Sequence, residues 1–274
     1  MSGTTLASLL LPNGNANTAP PLSTAQTLAL FRRSVDRAQQ DIARIEKDPV
    51  TQRDMRVLDQ AVTQAKNPGD LLRNPRVLRL LMEATGLGDQ VANGGLARKV
   101  LMSSLSDQQS PANRMPDRRW KAAAERLDFA ASGLAELRKP AVMEALKDGI
   151  IQYRRITAIS AQSKAVADAL YMRDLPLEKD KVTGKDKPPS LFAVLGDRVM
   201  RRVATTVANL PQELALQSVE SQARTLGARF DPAQLLDPKK RDALINRYLI
   251  VSSSAQAGSQ GPGGAGSPLL RLFA

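Results

Sequence analysis

The chain has 274 residues, 42% of them apolar but only 3% aromatic, with no cysteine, no histidine and a formal net charge of +12. Without cysteine there can be no disulfide, thiolate nucleophile, Fe–S cluster or cysteine–zinc site, and without histidine no serine–histidine or cysteine–histidine machinery within the chain. What remains is enough Leu, Ala, Val, Ile and Met for a sizeable helical core, in one large domain or two closely packed lobes.

The positive charge is spread rather than blocked. Residues 32–130 hold 18 basic and 13 acidic side chains, and residues 131–274 hold 21 and 14. Interspersed signs describe a solvated helical surface, and no helix gathers Lys and Arg on one face as a nucleic-acid reader would. No apolar run approaches the ~20 residues that span a bilayer. Leu6 to Leu11 is short and no basic residue precedes it, so the expected form is not a cleavable export signal.

In chain order, residues 1–22 are rich in Ser, Thr, Asn, Gly and Pro and carry no charge, so they read as a disordered tail. Such a tail is either a frayed terminus or an uncleaved address for a specialised secretion route. Ser23 and Gln26 form a capping-box pattern at the start of the first helix. Leu28, Phe31, Val35, Ala38, Ile42 and Ile45 then recur in steps of three and four, a heptad stripe that packs within the chain or against another chain. A second helix is expected over about 50–66. Asp48-Pro49, Asn67-Pro68, Asn74-Pro75, Asp231-Pro232 and Asp237-Pro238 each place a capping side chain before a proline at the first helical position, predicting five helix starts. Gly86 suits a helix C-terminus. Asn93-Gly94-Gly95 reads as a turn rather than a phosphate loop, because no Gly-Lys-Ser/Thr follows.

Residues 117–129 are expected to be helical, with Trp120 inward. The long stretch from Pro140 to Asp174 is read as one rod of roughly 50 Å. Its apolar face is Val142, Leu146, Ile150, Tyr153, Ile156, Ile159, Val166, Ala169 and Leu170. Gly149 inside it implies either a close neighbour or a kink. The Lys-rich stretch at 175–189 reads as a flexible surface loop. Helices over about 199–210, 218–228 and 238–250 complete a single helical domain, 23–251. Residues 252–274 have linker composition and end in an apolar tip in which Leu269, Leu270, Leu272 and Phe273 are candidate partner-binding residues. The fold class is therefore all-α, a multi-helix bundle organised around one long helix, with disordered N- and C-terminal tails.

Several stretches together resemble a bacterial family of unknown function, domain-of-unknown-function family 1217, found mainly in alphaproteobacteria and often encoded near flagellar genes. They are Asp70-Leu-Leu-Arg-Asn-Pro-Arg-Val-Leu-Arg-Leu-Leu-Met-Glu-Ala-Thr-Gly-Leu87, Leu96-Ala-Arg-Lys-Val-Leu101, Ala112-Asn-Arg-Met-Pro-Asp-Arg-Arg-Trp120 and Leu127-Asp-Phe129. Leu170-Tyr-Met-Arg-Asp-Leu-Pro176, Val194-Leu-Gly-Asp197 and Asp237-Pro-Lys-Lys-Arg-Asp-Ala-Leu-Ile-Asn-Arg-Tyr-Leu249 follow. The resemblance covers about residues 23–250 and departs at the Lys-rich loop and both tails. It implies a helical protein linked to flagellum assembly or regulation, and brings no catalytic residue with it.

The functional expectation is a non-enzymatic flagellum-associated structural or accessory protein acting through protein–protein contacts, with flagellar or export-apparatus proteins as partners. No cofactor, metal or small-molecule substrate is expected. The location is cytoplasmic, or outside after export through the flagellar route. Arg114, Arg118 and Arg119, beside Asp117 and Trp120, are candidates either for a structural ion-pair network or for a partner surface. The alternative function is nucleic-acid binding through the net charge. A third reading, carboxylate catalysis by Glu144 and Asp148 at i,i+4 spacing, competes with ordinary surface charge.

Overall fold

The structure is a computed structural model that describes residues 22–175, 177, 179–180 and 183–258, with side chains to residue 255. Among them there are fifteen α-helices, three 3-10 turns and no strand. The chain therefore folds as the all-α bundle that its sequence predicts.

The first half runs α1 (Thr24–Asp36), α2 (Ala38–Lys47), α3 (Pro49–Gln64), α4 (Pro68–Arg73), α5 (Pro75–Ala84), α6 (Gly94–Leu101), α7 (Pro111–Arg114), α8 (Arg118–Leu127) and α9 (Phe129–Ser132). The second half runs α10 (Pro140–Gln162), α11 (Lys164–Arg173), α12 (Leu191–Gly196), α13 (Arg198–Val207), α14 (Val219–Gly227) and α15 (Pro238–Gly258). The Ser23 capping box forms in full, each side chain bonding the other residue's backbone N–H. All five Asx-Pro pairs begin an element, although the one at Asp231 opens a 3-10 turn, Pro232–Leu235, rather than an α-helix. Gly86 ends α5 with φ +77°, a backbone conformation that costs glycine nothing.

The buried apolar side chains fall into two clusters. The first contains Leu58, Leu72, Leu80, Leu81, Trp120 and Leu146, and the second Val166, Leu170, Val203, Leu226, Ile245 and Leu249. Helix α10 joins them. Leu146 and Ile150 lie in the first cluster and Ile159 in the second. Gly149 is where α10 meets α5: a Cβ there would sit 2.2 Å from the Ala84 carbonyl oxygen. The glycine answers to a close neighbour and not to a kink.

Four boundaries differ from expectation. Residues 117–129 are not one helix: α8 ends at Leu127, and Asp128 takes a left-handed backbone (φ 46°) before α9 begins. The rod is two helices: α10, about 35 Å long at 1.5 Å per residue, ends at Gln162. Ser163 then adopts an extended backbone (φ −158°, ψ 113°) and its side chain accepts from Val166 N–H, starting α11. Serine competes with the helix for its own backbone, and here the cap prevails over the apolar period. The first helix likewise breaks at Arg37, between α1 and α2. Finally, α15 runs past 251 to Gly258. Ser253 is buried, donates to the Leu249 carbonyl and bonds Thr24 Oγ1 at 2.8 Å, so docking against the start of α1 keeps a serine-rich stretch helical.

The Lys-rich loop is partly organised. Lys179 and Asp186 form an antiparallel bridge, Asp180 N–H donates to the Lys185 carbonyl, and Gly184 turns the chain at φ +66°. The rest of both expected tails, 1–21 and 259–274, lies outside the described residues, and with it Leu269, Leu270, Leu272 and Phe273.

Candidate interaction surface

The predicted arginine group divides. Asp117 caps α8, accepting from Arg119 N–H, while Trp120 one residue later is buried. Arg119 turns inward. Its Nη2 lies 2.8 Å from Asp117 Oδ2, and its Nη1 donates to the Gly86 carbonyl at 2.8 Å and to Asp89 at 3.0 Å. Asp89 also accepts from Arg198 at 3.3 Å, which ties the first cluster to α13. Burial alone would raise the Asp89 carboxyl, but the Arg119 bonds outweigh it and hold the group below its ordinary range. The same carboxylates raise the Arg119 guanidinium against its own burial. Close by in the chain, Gly196 lets the backbone of α12 approach the Pro116 carbonyl, where a Cβ would lie 2.7 Å from the oxygen. Arg119 therefore takes the structural ion-pair role, and Arg114 and Arg118 are exposed.

Two further networks lie inside the bundle. Arg154 of α10 bonds Asp54 and Glu83 and reaches Thr51 Oγ1 at 2.8 Å, while Arg76 Nη2 meets Asp54 at 2.7 Å. Asp54 is 1% exposed. Burial would raise its carboxyl, yet the bonds from Arg154 and Arg76 bring it below its ordinary value. Thr51, Asp54, Glu83 and Arg154 line a cleft of about 390 Å³ together with Ile45 and Val50. In the second cluster Arg202 grips Asp168 with two bonds of 2.6 Å, and Tyr248 donates to the same carboxylate at 2.6 Å. Burial and then the Asp168 charge push the Tyr248 phenol up. Glu144 and Asp148 lie on the exposed side of α10, where Lys147 pairs with Glu144 at 3.2 Å and with Asp59 at 3.1 Å. Among the described residues no group of His, Cys, Asp or Glu is arranged to hold a metal, and no helix is long and apolar enough to cross a membrane.

Apolar matter remains on the outside. Helix α2 has no buried residue, although its sequence is strongly amphipathic. Ile42 and Ile45 are half-covered, and Val50, which follows it, is 52% exposed. On α1 the buried positions are Thr27 and Ser34, and the stripe residues Leu28, Phe31 and Val35 are only partly covered, packing against the second cluster. The break at Arg37 has a visible cause. Arg155, buried on α10, donates Nη2 to the Ser34 carbonyl, which a continuous helix would offer to Ala38; its Nε has no hydrogen-bond partner. The negative end of α1 faces this buried cation. Sequence reasoning missed Arg155 and with it Ile151: the apolar face it drew ran through Ile150, Tyr153, Ile156 and Ile159, whereas Ile151 and Arg155, each four residues from the next buried position, are buried as well. Elsewhere Phe192 is 55% exposed and Leu216 87%.

The comparisons agree with this fold. A protein from Agrobacterium tumefaciens, whose crystal structure comes from a structural genomics programme, superposes with a TM-score of 0.69 at 22% identity, covering 86% of this chain and 96% of that one. At that identity the likeness shows the fold. No curated protein matches the chain. The family model described as "Protein of unknown function (DUF1217)" matches residues 84–240, from the end of α5 to the first turn of α15. That match covers more than half of the 274 residues, and the chain belongs to the DUF1217 family.

Proposed function

We propose that this protein is a non-enzymatic component of flagellum assembly that acts through protein–protein contacts. The observation that supports contact as its mode of action is the α1–α2 face: a heptad stripe only partly covered by its own bundle, whose second half lies on α2, a helix with no buried residue. A contiguous apolar face, rather than scattered exposed side chains, is what a partner surface requires. The half-buried arginines Arg119, Arg154 and Arg202 are engaged in ion pairs that brace the bundle itself. The flagellar setting draws on the sequence resemblance alone.

The test is a clean deletion of the gene in a motile host, with complementation. Loss of filaments or of swimming, restored by the full chain, is the expected result. Normal filaments and normal swimming would remove the flagellar reading. The alternative, nucleic-acid binding, draws on the net charge of +12. A gel-retardation titration at low salt, where phosphate contacts are strongest, decides it; no shift at micromolar protein is the expected outcome.

A further inference from the structure

The half-covered stripe carries its own account of what covers it. With Leu28, Val35 and Ile42 as one heptad position and Phe31, Ala38 and Ile45 as the other, the two flanks differ. Thr27 and Ser34, buried in the chain's own bundle, and Asp41, partly covered and paired with Arg44 at 2.8 Å, form one flank. Arg32, Gln39 and Glu46 form the other and are exposed. Neither Arg32 nor Glu46 has an ion-pair partner among the described residues. An incoming helix can reach the stripe only from the Arg32–Gln39–Glu46 side. A parallel copy would have to pair that flank with the one whose members are buried on α1 and, at Asp41, already engaged by Arg44. An antiparallel copy pairs it with itself.

That flank reads plus, neutral, minus along the chain, and reversal makes it self-complementary. Turned about Gln40, Ala38 layers with the partner's Ile42, and Val35 with the partner's Ile45. In that register the flank positions fall two residues off the core layers, within side-chain reach: Arg32 comes beside the partner's Glu46, twice by symmetry, and Gln39 beside its own copy. The axis falls within α2, the helix that has no buried residue, one turn beyond the break at Arg37. This is the isologous pattern of a two-fold dimer, each contact made twice.

We propose that α2, with the last turns of α1, pairs antiparallel with the same element of a second copy of this chain. The inference rests on the contact reading of the α1–α2 face and names a second copy as its occupant; it is independent of the flagellar setting, and its test is separate from the deletion. Sedimentation velocity on the full chain at low ionic strength, over a micromolar to hundred-micromolar range, is expected to show a monomer–dimer equilibrium. Arg32→Glu or Glu46→Arg alone places two like-charged pairs in the interface. Each should weaken dimerisation about tenfold, the effect of roughly 0.7 kcal/mol at each of two symmetric pairs. The double variant Arg32→Glu/Glu46→Arg restores the pairs and should return the affinity to within about twofold of the original. Ile42→Asp should abolish the dimer, with circular dichroism confirming that the bundle is intact. A monomer at every concentration overturns the proposal. So does a double variant as weak as its parents, which rules out this register even if Ile42→Asp fails to fold.

Discussion

Gly149 is the point at which α10 lies against the backbone of α5, and Gly149→Ala measures how firmly those helices are held. The added Cβ would stand 2.2 Å from the Ala84 carbonyl oxygen, 3.0 Å from its carbonyl carbon and 3.1 Å from its Cα. Clearing the oxygen takes a displacement of about 1 Å, since packed carbon and oxygen rest near 3.3 Å or beyond. The contact is backbone, so no rotamer change relieves it. α5 cannot retreat easily either, because Val77, Leu80, Leu81 and Met82 are fully buried on it. Overpacking of this kind costs about 3 kcal/mol, at the upper end of the usual range. Replacing a helical glycine with alanine returns about 1 kcal/mol. The net loss is about 2 kcal/mol, or roughly 4–8 °C in Tm for a domain of this size. Thermal unfolding followed at 222 nm measures it. Gly95→Ala in α6 is the control, since nothing lies within 4 Å of its Cβ position, and it should be neutral or slightly stabilising. A Gly149→Ala protein as stable as the parent would refute the close helix contact.

Arg154→Met removes one partner from two buried carboxylates and should destabilise the fold by about 3 kcal/mol, read by urea unfolding; a neutral result would mean that Asp54 and Glu83 are not held by it. Asp54 and Asp89 have native carboxyl values below their unfolded ones, near 3.9. Their contribution is therefore complete above that pH and lost as pH falls through the lower native values. With no histidine to titrate, unfolding free energy should stay flat from about pH 5.5 to 8 and fall below about pH 4, and Asp89→Asn should soften the acid limb. Trp120 is the sole tryptophan and is buried, so its emission should be blue-shifted in the folded protein and move to the red in the same transition that circular dichroism reports. Ser23→Ala removes the capping box of α1 and should cost about 1 kcal/mol.

Much of the architecture was legible because its signals are local. Asx before Pro fixes a helix start through one side-chain bond and one preset φ, and all five such pairs start an element. Period placed Leu146, Ile150 and Ile159 on the inward face of α10 for the same reason, though not Ile151 or Arg155. The breaks were not legible. Ser163 caps α11 through a bond that the same serine would forgo in an unbroken helix, and Arg37 marks a break made by Arg155, more than a hundred residues away. Composition misled at Ser252 to Gly258, where a linker-like sequence is helical because Ser253 meets Thr24. At the candidate surface the sequence located the stripe and the arginines of α8 but not their division of labour. That Arg119 braces α8 against the turn at Gly86 and Asp89, and that α2 is left without a buried residue, are properties of three-dimensional packing.

The most direct test of the account is affinity capture of the full chain from motile cells at native expression, run beside a form lacking the last seven residues. The account predicts recovery of flagellar rod, hook or export components with the full chain, and their loss on truncation if Leu269, Leu270, Leu272 and Phe273 make the contact. Recovery of nucleic acid in their place, or of nothing flagellar, would contradict it.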